Sequence, residues 1–264
     1  METAKKSLGQ HWLHDEDTLN YICDRSNLSQ GETVLEVGPG TGTLTKKLLA
    51  QDVKVVAVEK DKTLAANLRV RPLGPKGRTL RGQLSVVEED ILEFDLSQLP
   101  AGYKVVANIP YYLTSNLLRF LAESTNPPAL MVLLVQKEVA QRIAAKPGQM
   151  SVLSVSVQLY YEPKLGRVVP AELFAPPPKV DSQAVILRRR QKPLFENLDT
   201  QKFFRVVKAG FSERRKKLRS SLGSGLSVSK EQADELLKRA VIAPDARAQE
   251  LSLDQWYKLS EHIT

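Results

Sequence analysis

Glu36-Val37-Gly38-Pro39-Gly40-Thr41-Gly42 follows the apolar run 33–37 and leads into the helical pattern 44–50. Glycines in a strand-to-helix turn let the backbone pass close to a ligand, because no Cβ stands in the way. The dinucleotide fingerprint spaces them G-x-G-x-x-G, with an acid about 20 residues further on. Here the third glycine comes one position early, and an acid, Glu36, stands inside the motif. Glu59 closes the next β-rich run, 21 residues after Gly38, where a carboxylate can accept both hydroxyl protons of a ribose. Asp90 closes the third run, placed to meet an adenine edge. A cofactor with ribose and adenine but no pyrophosphate fits these three strand ends better than a dinucleotide does. That points to S-adenosylmethionine, with Glu36, Gly38, Gly40, Glu59 and Asp90 around it.

Outward from this loop, β-rich runs at 33–37, 53–59, 85–88, 104–107, 130–135, 164–170 and 184–188 alternate with helical patterns at 18–26, 44–50, 62–70, 115–121 and 137–144. Such alternation predicts a Rossmann-like α/β domain, a parallel sheet covered by helices. The strand signal stops after Arg190. The rest reads as helices: one over about 200–220, one opening after Ser229 and one after Ser252. Both serines are followed three residues later by Gln (Gln232, Gln255), a capping-box pattern. The expected division is 1–190 for an α/β cofactor domain and 191–264 for a small all-helical domain.

The 264 residues carry 38 Lys and Arg against 30 Asp and Glu. Residues 1–187 hold 21 basic and 20 acidic side chains, so nearly all of the +8 excess lies in 188–264, with 17 and 10. It peaks at 202–219, where eight basic residues face the single acid Glu213. Confinement of the charge to one segment favours a polyanion-binding face, with nucleic acid as partner. No apolar run approaches the roughly 20 residues of a membrane span. The start lacks the apolar core of a secretory signal, and the expected location is the cytoplasm. One cysteine, Cys23, and three scattered histidines (His11, His14, His262) argue against a disulfide framework or a metal site.

The fourth run ends in Asn108-Ile109-Pro110-Tyr111-Tyr112, at the sheet edge where open α/β folds place their ligands. An exocyclic adenine amine is a poor nucleophile because its lone pair is conjugated into the ring. Two acceptors aimed at its hydrogens, the Asn108 side-chain oxygen and the Ile109 carbonyl, would pull the nitrogen toward tetrahedral geometry. Pro110 stiffens the loop, and Tyr111 offers a flat face for stacking an unstacked base.

The Glu-Val-Gly-Pro-Gly-Thr-Gly loop, Asn-Ile-Pro-Tyr, Leu134-Val-Gln-Lys-Glu-Val139, Phe174-Ala-Pro-Pro-Pro-Lys-Val-Asp-Ser182 and Phe211-Ser-Glu-Arg-Arg-Lys-Lys-Leu-Arg-Ser-Ser-Leu222 resemble the KsgA-type small-subunit ribosomal RNA adenine N6,N6-dimethyltransferases. The resemblance runs from about Lys6 to Trp256. It implies a class I methyltransferase sheet and dimethylation of two adjacent adenosines near the 3′ end of small-subunit ribosomal RNA during ribosome assembly, with a monomer expected. It places cofactor contacts on His11, Leu13, Gly38, Glu59, Asp90 and Asn108. Gly9-Gln-His-Trp-Leu13 departs from the Gly-Gln-Asn-Phe-Leu form associated with the family, and His11 alternatively reads as a surface residue on an arm that also carries Lys5, Lys6 and Trp12. Phe174 reads either as a core residue or, by the resemblance, as the second wall of an adenine pocket opposite Tyr111. Lys5 and Lys6, with Arg214, Arg215, Lys216, Lys217 and Arg219, form the expected RNA face. A large-subunit RNA methyltransferase of the macrolide-resistance type and a non-catalytic assembly factor are the rival readings.

Overall fold

The computed structural model describes residues 9–71, 73, 82–213 and 215–263. Its chain falls into two units: the chain up to Ala140 together with Glu162–Arg189, and Gln141–Tyr161 together with the chain from Arg190 on. In chain order the first unit contains β1 (Trp12–Leu13), α1 (Glu16–Arg25), β2 (Thr33–Val37), α2 (Thr43–Leu49), β3 (Lys54–Glu59), α3 (Lys62–Val70), β4 (Leu84–Glu88), β5 (Lys104–Asn108), α4 (Thr114–Glu123) and β6 (Leu130–Gln136). Helix α5 (Lys137–Ile143) leads into α6 (Val152–Tyr160); the chain then returns through β7 (Tyr161–Val169), β8 (Phe174–Ala175) and β9 (Ser182–Arg189).

Seven strands form one sheet in the order β4-β3-β2-β5-β6-β9-β7, and β1 pairs with β8 in a separate two-stranded ribbon. Pairings from β4 through β6 are parallel, whereas β9 runs antiparallel to β6. The expected all-parallel sheet is therefore a mixed one. In β6 the residues Met131, Val132, Leu133, Leu134 and Val135 are all fully buried, the continuous apolar run of a strand covered on both faces. Each such side chain contributes about 1.5–3 kcal/mol of burial. Helix entries are fixed locally: the Asp15 carboxylate accepts the Thr18 N–H at 2.9 Å, and Asp61 accepts that of Thr63 at 3.0 Å.

The second unit is helical: α5 ends in it, and α6 is joined by α7 (Thr200–Gly210), α8 (Leu218–Leu226), α9 (Lys230–Arg239) and α10 (Leu253–Glu261). Two corrections arise here. The segment Gln141–Tyr161 belongs to this unit rather than to a continuous 1–190 domain, because Met150, Val155 and Leu159 are buried in one cluster with Phe203, Leu222 and Trp256. The helix expected over 200–220 is two helices. Gly210 ends α7 against Trp256, where a Cβ would overlap the indole ring, and the Ser212 hydroxyl donates to the Ala209 carbonyl at 2.8 Å, satisfying a terminal carbonyl. Both expected capping boxes form, at Ser229/Gln232 and Ser252/Gln255. Among the described residues no helix is long and apolar enough to cross a membrane.

Candidate active site

Successive strands spread from β2 toward β4 on one side and from β5 toward β6 on the other. A crevice opens at the carboxyl ends where that order reverses. A cavity there is lined by residues 9–13, 36–41, 58–60, 89–91 and 108–113. It brings together His11, Leu13, Glu36, Gly38, Gly40, Glu59, Asp90, Asn108, Ile109, Pro110 and Tyr111, all singled out in the sequence.

Gly38, Gly40 and Gly42 take left-handed φ of 63°, 57° and 81°. At Gly40 the need is steric as well, since a Cβ would lie 3.0 Å from the Trp12 indole nitrogen. The Gly40 N–H donates to Glu59 Oε2 at 3.0 Å, and the Asp61 N–H donates to Oε1 at 2.9 Å. Burial raises the Glu59 carboxyl above its ordinary range, against the pull of these two N–H groups. Glu36 is 1% exposed, and burial with the neighbouring Glu59 charge pushes its carboxyl up to about 8. Asp90 accepts from Lys60 Nζ at 2.8 Å and from the Leu92 N–H at 3.0 Å, and the lysine holds its carboxyl below the usual value.

On the opposite side, β5 ends at Asn108, whose amide nitrogen donates to the His11 carbonyl at 2.9 Å. Because that partner can only accept, the amide is oriented with Oδ1 as the acceptor left for a ligand. The Leu13 carbonyl accepts the Thr43 hydroxyl at 3.0 Å, so both ends of β1 are tied to the cavity wall. Buried Ile109 donates its N–H to the Leu134 carbonyl at 3.1 Å, and the Tyr111 hydroxyl lies 2.8 Å from that of Ser182.

Phe174 stands in β8, opposite Leu13 of β1. It is 4% exposed and packs in the sheet's core cluster with Leu13, Leu19 and Ala184. The ring found beside Tyr111 is that of His11, with centroids 5.7 Å apart and planes at 25°. Sequence reasoning missed Lys60, Ser182 and the His11–Asn108 bond. Lys60 adjoins Glu59 and was within reach; the other two join residues 71 and 97 positions apart.

Of the expected RNA face, Lys5, Lys6 and Arg214 lie outside the described residues. Arg215, Lys216 and Lys217 are exposed in the turn between α7 and α8, with Lys216 2.5 Å from Glu213. Arg219 pairs with Asp234 at 3.2 Å. Cys23 is buried, and burial pushes its thiol up to about 12. Among the described residues no group of three His, Cys, Asp or Glu side chains is placed to hold a metal ion.

The family model described as ribosomal RNA adenine dimethylase matches residues 1–264. Among curated proteins, the "Ribosomal RNA small subunit methyltransferase A" of Dehalococcoides mccartyi strain CBDB1 is 43% identical over 258 residues, covering 97% of this chain and 87% of that protein. The protein of the same name from Streptococcus thermophilus strain ATCC BAA-250 / LMG 18311 is 38% identical over 275 aligned positions, covering 99% and 92%. Among solved structures, a dimethyladenosine transferase from Plasmodium falciparum superposes with a TM-score of 0.79 at 26% identity, covering 94% of this chain and 96% of that one. The 23S rRNA methyltransferase ErmE gives 0.73 at 28%, covering 95% and 98%. A match along the whole chain, with the glycine loop and Asn108 on one crevice, means that this chain belongs to the ribosomal RNA adenine dimethylase family.

Proposed function

We propose that this chain, acting as a monomer in the cytoplasm, dimethylates the N6 amines of two adjacent adenosines near the 3′ end of small-subunit ribosomal RNA during assembly of that subunit. The observation that carries this reading is the orientation of Asn108: the His11 carbonyl holds its amide nitrogen, leaving Oδ1 to accept a hydrogen from an exocyclic amine. The Ile109 carbonyl is the second acceptor, and Tyr111, anchored at its hydroxyl by Ser182, stacks the base. As the amine becomes tetrahedral its lone pair leaves the ring, and the two acceptors stabilise the positive charge that develops.

The cavity wall fits S-adenosylmethionine. Two carboxylates, Glu59 at the end of β3 and Asp90 two residues beyond β4, stand ready for a ribose and an adenine edge. The glycine loop leaves no side chain in the way, and Glu36 Oε2, Thr41 Oγ1 and Trp12 Nε1 are buried without a hydrogen-bond partner in the lining. When bound, this cofactor supplies a sulfonium methyl. Glu59, Asp90, Glu36, Leu13, Gly38 and Gly40, with Asn108, would hold it in this cavity. The exposed Arg215, Lys216 and Lys217, with Arg214 and Arg219, grip phosphates, while base choice comes from the pocket.

The test is labelled methyl transfer from S-adenosylmethionine to small ribosomal subunits that lack adenine dimethylation, followed by nucleoside analysis. Dimethyladenosine at two neighbouring positions is the expected result. Label on large-subunit RNA alone would overturn the substrate. Cofactor and RNA binding without label would overturn the reaction.

A further inference from the structure

The helical unit holds a cavity of its own, open to solvent and enclosing about 700 Å³. That size falls within the roughly 300–1,000 Å³ of ordinary ligand pockets. Its floor is aliphatic: Leu226 and Ile263 are buried in the unit's core, with half-buried Val228 and Leu236 packed against them. Its rim is polar, with Arg205 from α7, Gln232, Glu235 and Arg239 from α9, and His262 after α10. Lys202 Nζ donates to the Ile263 carbonyl at 3.3 Å and fastens the chain that closes the floor.

The rim is arranged to donate. Gln232 Oε1 accepts the Ser229 N–H at 2.8 Å in the capping box, so the amide's NH2 group is what it has left to offer. Arg239 spends only Nε on Glu235, at 3.0 Å, and keeps its terminal NH2 groups. That ion pair is exposed on both sides and contributes little by itself, so a better-placed anion displaces it at small cost. Two guanidiniums above an aliphatic floor select an anion joined to an apolar body. Among the described residues no Phe, Tyr or Trp lines the cavity, so the ring on which an unstacked nucleic-acid base rests is missing. Gln232 and Glu235 lie three residues apart on one helix face and pair a donor with an acceptor. A peptide unit supplies the matching C=O and N–H, whereas a fatty acid brings no N–H.

We propose that this cavity captures the carboxyl-terminal residue of a protein partner. Its aliphatic side chain rests on Leu226, Val228, Leu236 and Ile263, and its terminal carboxylate meets Arg205 and Arg239. Gln232 and Glu235 bind the preceding peptide unit. Capture of a chain end there is independent of methyl transfer.

The test titrates the isotope-labelled full chain with acetyl-Ala-Ala-Leu bearing a free carboxylate, followed by amide and side-chain NMR shifts. Saturable shifts confined to the floor and rim, including the Gln232 NH2 group, are the expected result. Amidating the last residue should weaken binding about tenfold or more, and replacing its Leu by Ser about tenfold. Arg239→Gln should cost about tenfold with an unchanged melting temperature, because Arg239 is exposed. Lys258→Gln, an exposed cation of α10 outside the cavity, should leave affinity at the wild-type value. Absence of saturable shifts at millimolar peptide would overturn the proposal, as would equal affinity for acid and amide. An equal loss in Lys258→Gln would reduce the effect to net charge and overturn it too. Stronger binding of octanoate than of the peptide would assign the cavity to a lipid carboxylate. Displacement of the peptide by oligouridine would assign it to RNA, and either result overturns capture of a chain end.

Discussion

The two units treat charge in opposite ways. The unit built on the sheet is close to neutral, with 21 basic and 20 acidic residues in the sequence it spans, yet it buries three carboxyl side chains, Glu36, Glu59 and Asp61. The helical unit carries 17 basic against 10 acidic residues, and among the described residues its buried polar side chains are three serines, Ser154, Ser221 and Ser260. A buried carboxylate is costly unless hydrogen-bonded, so a fold keeps one where it has a task; Glu59, with a backbone N–H on each oxygen, shows how the cost is met. Charge left in water costs little and acts at a distance on a polyanion. One unit is built for recognition at contact and the other for attraction.

Three measurements press on that contrast. The largest effect is expected from Asn108→Ala, which removes the acceptor for the amine: methyl transfer should fall about a thousandfold while RNA affinity measured by filter binding stays near wild type. Retained turnover would break the assignment of chemistry to the sheet unit. Next in size, replacing Arg214, Arg215, Lys216 and Lys217 with Ser should weaken RNA binding roughly tenfold or more at moderate salt. It should also lower the slope of log K against log salt by up to about 3, with Kd for S-adenosylmethionine unchanged; an unaltered slope would return these side chains to a solvated turn. The smallest effect concerns Glu36. Burial pushes its carboxyl up to about 8 in the folded chain, above the ordinary value of 4.5. The folded state then binds more protons than the unfolded one between these values, so stability falls as pH rises through that window. Thermal melts from pH 5 to 8 should show wild type losing several degrees relative to Glu36→Gln, and parallel curves would mean that Glu36 is ionised in place.

Much of the sheet unit was legible because its cues are local. Strand, glycine turn and helix follow one another within 33–50, and Glu59 and Asp90 terminate runs that alternate with helices. What escaped depends on partners distant in sequence. The direction of β9 is set by its connection through β7 and β8, and nothing within its own residues reports it. Residues 152–160 (Val-Leu-Ser-Val-Ser-Val-Gln-Leu-Tyr) are rich in β-branched side chains; they form a helix because Ser151 and Ser154 cap each other and burial overrides propensity. Phe174 pairs with Leu13, 161 residues earlier. The site is legible as a set of residue types, whereas the ring contact of Tyr111 with His11 joins residues 100 positions apart.

The chain's two tryptophans fall one to each unit: Trp12 against the glycine loop and fully buried Trp256 in the helical core, its ring 5.4 Å from that of Phe211. Intrinsic emission is therefore a pair of native labels. With Trp256→Phe the remaining signal reports the cofactor crevice alone, and with Trp12→Phe it reports the melting of the helices. Comparing the two denaturation curves would reveal whether these units unfold as one cooperative block or in sequence.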